Sequence, residues 1–135
     1  GAEMFISQAA PDEPIVCASA GNFGQAMAYA CQKKKIPLTV FASKNANTYK
    51  IEMMRSFGAT VILMGEDFDE AKIIAKAHAK KLQLRFVEDS QDIETLAGAG
   101  TIGLELLNLP YSLDALLISL GNGALLAALV GLLKN

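Results

Sequence analysis

The stretch Ile15-Val16-Cys17-Ala18-Ser19-Ala20-Gly21-Asn22-Phe23-Gly24 joins an apolar run to a polar turn that contains two glycines. The apolar run predicts a short buried strand, and the helical spacing of the next apolar residues predicts a helix over residues 22–34. A turn that leads from a strand into a helix exposes the free N–H groups of the first helical turn, and these groups favour an anion. The stretch therefore predicts an α/β protein with an anion-binding turn at residues 19–24.

Apolar runs typical of strands alternate with helical patterns along the rest of the chain. Strands are predicted at residues 15–18, 38–42, 60–64, 84–87 and 115–119, and helices at residues 22–34, 49–57, 68–82, 101–107 and 125–133. Gly58 is expected to end the second of these helices as a C′ glycine. This alternation predicts an open parallel sheet with helices on both faces, a three-layer, Rossmann-like architecture. Ligands of such sheets bind beyond the carboxyl ends of the strands, where the turn at residues 19–24 falls.

A second glycine-containing turn, Gly121-Asn122-Gly123, follows the strand predicted at residues 115–119 and opens the last predicted helix. Its backbone N–H groups could form a nest for a phosphate. An ordinary tight turn is the alternative here. At the first turn the alternative is a simple helix cap by Ser19 or Asn22.

Composition excludes several classes of function. The chain has 135 residues, of which 52% are hydrophobic, and a net charge of −2, which argues against a nucleic acid partner. No apolar run reaches membrane-spanning length without polar interruption, and the first residues lack a signal-peptide pattern. The two cysteines, Cys17 and Cys31, lack metal-ligand spacing and predict reduced, buried thiols in a cytoplasmic protein.

Other kinds of site fit the sequence poorly. The dinucleotide fingerprint needs a glycine where Ser19 stands and an acidic residue after the second strand, which Ala42-Ser43-Lys44 does not supply. His78 is the only histidine and lies far from both turns in sequence, so a structural role is expected for it and no metal site. Lys50, near a predicted helix start, is at most a minor candidate for a functional side chain.

The segment Ser19-Ala20-Gly21-Asn22-Phe23-Gly24-Gln25 resembles the substrate-binding turn of the fold-type II pyridoxal-phosphate enzymes, most of all their threonine/serine dehydratase branch. Four further segments are similar to that family in the same order: Ile36-Pro37-Leu38-Thr39-Val40-Phe41, Met54-Arg55-Ser56-Phe57-Gly58-Ala59-Thr60-Val61, Gly100-Thr101-Ile102-Gly103-Leu104-Glu105-Leu106 and Leu120-Gly121-Asn122-Gly123-Ala124-Leu125. The resemblance covers essentially the whole chain. It implies a small domain at residues 1–109, which binds cofactor and substrate, and an incomplete part of the large domain at residues 110–135.

The resemblance also implies roles for both turns. Ser19 would bind the substrate carboxylate together with backbone groups of the turn, which comprises Ala20, Gly21, Asn22 and Phe23. The side chain of Asn22 would hydrogen-bond the phenolic oxygen of pyridoxal 5′-phosphate. The cofactor phosphate would be held by backbone N–H groups of Gly121, Asn122, Gly123 and Ala124, although the family usually has glycine at nearly all of these positions. Racemases of the family commonly carry a serine base at the position of Ala20, so alanine favours elimination over racemisation.

The function that the resemblance implies is a lyase that deaminates L-threonine or L-serine to a 2-oxo acid and ammonia, in a homo-oligomer. The family's Schiff-base lysine lies just upstream of a pair that resembles Gly1-Ala2, so this chain lacks it. We therefore expect an internal segment of a longer enzyme that is inactive alone. The alternatives are a threonine synthase or serine racemase of the same family, or a non-catalytic α/β domain that binds a small molecule.

Overall fold

A parallel sheet with helices on both faces organises the computed structural model, which describes residues 1–89, 91–120 and 123–133. The elements in chain order are α1 (Ala2–Gln8), β1 (Ile15–Ala18), α2 (Asn22–Lys34), β2 (Leu38–Ala42), α3 (Thr48–Ser56), β3 (Thr60–Leu63), α4 (Phe68–Leu82), β4 (Arg85–Val87), α5 (Ile93–Leu107) and α6 (Ala124–Leu133). The predicted α/β fold class is thus confirmed.

The strand order is β3-β2-β1-β4, and every pairing is parallel. Strand β1 is central, with Ile15 opposite Leu38 of β2 on one side and opposite Arg85 of β4 on the other. The chain builds the sheet in one direction from β1 to β3 and then crosses back to place β4 on the other side of β1. A change of direction of this kind marks the place where ligands bind in open α/β sheets. The turn after β1 lies at that place.

The core has two parts, one on each face of the sheet. Ile15, Cys17 and Val40 point to the face that is covered by α1, α2 and α3, where Met27 and Met54 are fully buried. The alternate residues Val16 and Phe41 point to the other face and pack on Ala75 and Ala79 of α4. Side chains of successive strand residues point to opposite faces, so this continuous apolar run serves both layers of helices.

Two helices differ from what the sequence predicts. Helix α1 was not expected, since it has only seven residues and no side-chain cap; burial of Phe5 and Ile6 in the core stabilises it instead. Helix α5 begins at Ile93, eight residues before the predicted start. Its glycines lower the helical propensity of this stretch, but close packing outweighs that cost. A Cβ at Gly98 would lie 2.2 Å from the nitrogen of Gly1.

The strand predicted at residues 115–119 is wrong. Residues 115–120 form no regular secondary structure in the described part of the chain, and the Leu117 side chain is 98% exposed. A parallel strand forms only where a neighbouring strand supplies hydrogen bonds, and neither edge of the sheet, β3 or β4, pairs with this segment. An apolar run alone does not provide that partner.

Both cysteines are free and buried on the α1–α3 side of the sheet, as predicted. Burial raises the pKa of the Cys17 thiol to about 12 and that of the Cys31 thiol to about 11. Among the helices of the described ranges, none has the length and apolar character needed to cross a membrane.

Candidate functional site

Ser19 closes the strand β1 and begins the candidate site. Its backbone N–H donates to the carbonyl oxygen of Phe41 at 3.0 Å, which extends the β1–β2 ladder by one residue. Its side chain is buried, and Oγ accepts the backbone N–H groups of Gly21 at 3.2 Å and Gly24 at 2.9 Å. A hydroxyl oxygen has two lone pairs, and both are used here. The hydroxyl hydrogen is therefore the group that Ser19 retains for donation to another partner.

Gly24 allows the chain to approach Ser19 this closely. A Cβ at this position would lie 2.7 Å from Sδ of Met54 and 3.1 Å from Oγ of Ser19. Any larger residue would push the first turn of α2 away from α3 or from the end of β1. The absence of a side chain at Gly24 thus sets the shape of the turn.

Three backbone N–H groups of the turn are uncommitted. Helix α2 starts at Asn22, and its N-cap, Gly21, offers no side-chain hydrogen bond. Within the described ranges, the N–H groups of Ala20, Asn22 and Phe23 have no hydrogen-bond partner. Ser19 therefore does cap one N–H of the helix, as the cap alternative supposed, whereas Asn22 does not cap it. The remaining donors leave room for an anion at the same helix end.

Lys50 reaches this turn from the neighbouring helix. Its Nζ lies 3.2 Å from Oδ1 of Asn22, and its backbone N–H donates to Oδ1 of Asn47, the N-cap of α3, at 3.3 Å. From sequence alone, Lys50 was only a minor candidate. The signal that could have found it is topological: β1 and β2 are parallel neighbours, so the helices that follow them begin at the same edge of the sheet.

The second predicted turn is only partly described. Gly121 and Asn122 lie outside the described residues. Gly123 has a φ of +83°, and Ala124 is buried at the start of α6. A nest for phosphate at residues 121–124 stays a prediction.

A cluster of charges that sequence reasoning missed lies just past β4. The Glu88 side chain is 16% exposed and pairs with the ammonium groups of Lys72 and Lys76 on α4, the latter at 2.7 Å. Burial alone would raise the pKa of Glu88, but the hydrogen bonds and charges of the two lysines outweigh burial and lower it below its usual range. Contacts between α4 and the strand ends were not visible in the sequence, because they depend on how the helix packs across the sheet.

His78 has no part in either turn. Its ring packs against that of Phe41, with centroids 5.1 Å apart, on the face of the sheet that α4 covers. This position agrees with the structural role expected for it.

Comparisons with known proteins agree on one family of enzymes. The family model described as "Pyridoxal-phosphate dependent enzyme" matches residues 1–135. The biosynthetic L-threonine dehydratase IlvA of Halalkalibacterium halodurans is 33% identical over 125 residues, which cover 90% of this chain and 30% of that protein. The chain spans about a third of the length of the curated relatives that it matches.

The chain is also similar to solved structures. The processed form of threonine deaminase isoform 2 from Solanum lycopersicum superposes with a TM-score of 0.89 at 29% identity, over 98% of this chain and 40% of that one. A pyridoxal 5′-phosphate-dependent aspartate racemase superposes with a TM-score of 0.84 at 31% identity, over 90% of this chain and 37% of that one. The similarity therefore extends to proteins whose names describe two different reactions.

Proposed function

The chain belongs to the pyridoxal-phosphate dependent enzyme family, and we propose that it supplies the substrate turn of a lyase that deaminates L-threonine or L-serine. The observation that carries this proposal is the set of uncommitted donors at the end of β1. The Ser19 hydroxyl hydrogen and the N–H groups of Ala20, Asn22 and Phe23 lie together at the carboxyl edge of the sheet. The similarity to threonine dehydratases supports the choice of substrate.

The turn suits the carboxylate of an amino acid. A carboxylate has two oxygens with about four acceptor positions, and it gains most from N–H and O–H donors at a helix N-terminus. Ser19 contributes a donor whose position is fixed, since its oxygen is held by Gly21 and Gly24. In the proposed site these groups bind the carboxylate and orient the Cα–H bond of the substrate. Such positioning can contribute several kcal/mol to catalysis, up to roughly 7–11 kcal/mol for well-oriented reactants.

The residues of the turn also fit pyridoxal 5′-phosphate. Asn22 has its side-chain oxygen on Lys50, so its Nδ2 group is the end left to donate to the phenolic oxygen of the cofactor. Gly121, Asn122, Gly123 and Ala124 would hold the phosphate through backbone N–H groups. When bound, the cofactor supplies an electron sink for the Cα of an amino acid. The protein's own part is to hold the carboxylate and the ring oxygen at two neighbouring positions of one turn.

Ala20 supports elimination over racemisation. A methyl group can neither accept nor donate a proton, so the residue after Ser19 cannot serve as a second base on the opposite side of Cα. Racemisation is the second candidate function, and the similarity to an aspartate racemase is the observation that favours it. The two functions differ in product: elimination gives a 2-oxo acid and ammonia, whereas racemisation gives the amino acid with inverted configuration at Cα.

Residues 1–109 would form the small domain and residues 110–135 part of the large one, in a homo-oligomeric cytoplasmic enzyme. The 135 residues alone would not turn over, because they span about a third of the length of the curated relatives and supply only part of the proposed site. Addition of pyridoxal phosphate and L-threonine to the chain should therefore give no 2-oxo acid, and measurable turnover would contradict this point.

Binding can be tested on the chain itself. We expect L-threonine and L-serine to shift the backbone amide signals of Ala20, Asn22 and Phe23 in nuclear magnetic resonance spectra. Ser19→Ala should weaken this binding, while Ser56→Ala, which removes an exposed hydroxyl bonded to Met53, should not. Shifts that spare the turn would overturn the role proposed for it.

The reaction can be tested in a chimera. Residues 1–135 would replace the matching segment of the Halalkalibacterium halodurans threonine dehydratase, and products from L-threonine would be analysed. We expect 2-oxobutanoate and ammonia. A chimera that binds pyridoxal phosphate but yields only D-allothreonine, the product of inversion at Cα, would favour racemisation, and one that binds it without any reaction would contradict both functions.

A further inference from the structure

Lys50 joins the N-terminal ends of two helices through the side chain of Asn22. It is the third residue of α3, and its backbone N–H is held by the N-cap Asn47. Its ammonium extends to Asn22, the first residue of α2, and lies 3.2 Å from Oδ1. The contact links residues 28 positions apart and is made to a side chain that the proposed function places at the ligand.

The position is electrostatically unfavourable for a cation. Helix N-termini carry partial positive charge and stabilise acidic side chains in the first turn, as Asp69 and Glu70 do in α4. Lys50 lies in the first turn of α3 and beside the first turn of α2. Over the described ranges it forms no salt bridge, whereas Lys33 and Lys44 each pair with a glutamate. Neither helix stability nor an ion pair accounts for a lysine here, and the contact with Asn22 does.

The contact determines which end of the Asn22 carboxamide is free. An ammonium has donors and no acceptor, so the atom that it approaches must be the oxygen. Oδ1 is therefore committed to Lys50, and in the part of the chain that the structure describes Nδ2 has no partner. The turn thus presents a donor next to the uncommitted N–H groups of Ala20 and Phe23.

We propose that Lys50 is a positioning residue, whose ammonium holds Asn22 Oδ1 so that Nδ2 is the end left to donate to a ligand oxygen. The identity of that oxygen, the phenolic oxygen of a 3-hydroxypyridine ring, rests on the proposed function. The orientation of the carboxamide does not. A donor amide backed by a cation favours an ionised oxygen over a neutral one, because hydrogen bonds to charged groups are the stronger ones.

The orientation is tested by 15N relaxation of the Asn22 side-chain amide in the 135-residue chain. We expect this group to be ordered in the wild type and mobile, with an order parameter below about 0.6, in Lys50→Met. Lys50→Arg should preserve the order, because guanidinium also has only donors. Lys81→Met, which removes an exposed lysine near the end of α4, is the matched control and should change nothing at Asn22.

Backbone relaxation separates positioning from a merely structural role. In Lys50→Met the backbone amides of Phe23 and Ile51 should keep the order that they have in the wild type. An Asn22 side chain that stays ordered without Lys50 would overturn the proposal. So would a loss of backbone order in α2 and α3 that matches the loss at the side chain.

The ligand is tested with 4′-deoxypyridoxine 5′-phosphate and with its 3-deoxy analogue, which lacks the phenolic oxygen. We expect the wild-type chain to bind the hydroxyl form roughly tenfold more tightly, as one well-placed hydrogen bond allows, and Lys50→Met to lose that preference. Equal preference in both proteins would overturn the positioning role. If the wild type shows no preference or no binding, the proposed function fails, while the relaxation data still decide whether Lys50 orients Asn22.

Discussion

The hydroxyl of Ser19 accepts the backbone N–H of Gly24 at 2.9 Å in a buried position, across five residues of chain. This one hydrogen bond closes the turn between β1 and α2 and uses an N–H that would otherwise be free at the helix end. It also fixes the oxygen whose hydrogen remains to be donated. The same contact therefore contributes to stability and to the proposed binding of a carboxylate.

Ser19→Ala should lower both stability and affinity. The substitution leaves the N–H groups of Gly21 and Gly24 without their acceptor, and an unsatisfied buried donor costs about 1–3 kcal/mol. Urea denaturation followed by circular dichroism would measure the loss in the free energy of unfolding. Ser7→Ala, which removes an exposed hydroxyl bonded to Met4, is the control and should change stability by less than about 0.5 kcal/mol. Equal stability of the two variants would contradict the role given to Ser19.

Gly24→Ala should destabilise the fold by overpacking. The added methyl group would lie 2.7 Å from Met54 Sδ and 3.1 Å from Ser19 Oγ, and such crowding costs about 1–3 kcal/mol. In a double-mutant cycle with Met54→Ala, the cost of Gly24→Ala should fall, since the sulfur that it meets is gone. The same unfolding experiment measures each variant.

Gly21→Ala, at the other glycine of the turn, is the matched comparison for Gly24→Ala. No atom lies within 4 Å of a Cβ at Gly21, and its φ of −128° is ordinary extended backbone. Its effect on stability should stay within about 0.5 kcal/mol. If Gly21→Ala proved as destabilising as Gly24→Ala, backbone freedom and not close approach would explain both glycines.

Much of the fold could be predicted because its signals are local. Helix α2, strand β2 and helix α4 have the predicted bounds, and Asp67 caps α4 by accepting the Glu70 N–H at 2.9 Å. Gly58 ends α3 with a φ of +85°, as expected of a C′ glycine. Caps, breakers and apolar periodicity lie within a few residues of the structure that they determine.

The remaining features depend on contacts between distant residues. Helix α5 extends back through Gly98 because Gly1 packs against it, and α1 forms because the core buries Phe5. The predicted strand at residues 115–119 fails for the same reason, since strands need partners and the described sheet offers none there. At the site, the turn at residues 19–24 was predicted from sequence and stays a prediction as a binding site, whereas its link to Lys50 was not predicted. That link requires the order of the strands.

Glu88→Gln should lower stability in a pH-dependent way. Its lowered folded-state pKa means that Glu88 contributes stability above the unfolded value, near 4.5, and that this contribution is lost as pH falls through the folded value. The variant should therefore be less stable than the wild type at pH 7, by about 1 kcal/mol, and the difference should shrink below pH 4. Unfolding curves across pH 3–7 measure it.

The exposed pair of Glu3 and Lys33 is the control for that experiment. Both side chains are more than half exposed, and exposed pairs contribute about 0–1 kcal/mol. Glu3→Gln should thus have a smaller effect at pH 7. A constant difference between Glu88→Gln and the wild type at all pH values would show that Glu88 acts by packing and not by charge.

Native Cys17 and Cys31 should resist thiol reagents at pH 8. The thiolate is the reactive form, and burial holds the pKa of Cys17 near 12 and that of Cys31 near 11, so little thiolate is present in the folded chain. Both sulfurs are also closed to solvent within the core. Labelling with a disulfide reagent should then follow unfolding, with slow reaction in buffer and rapid reaction of both thiols in denaturant.

The variant Gly24→Ala should accelerate labelling in buffer in proportion to its loss of stability, because the folded chain opens more often while the two thiols themselves are unchanged. Rapid labelling of the wild-type chain in buffer would contradict the burial of these residues.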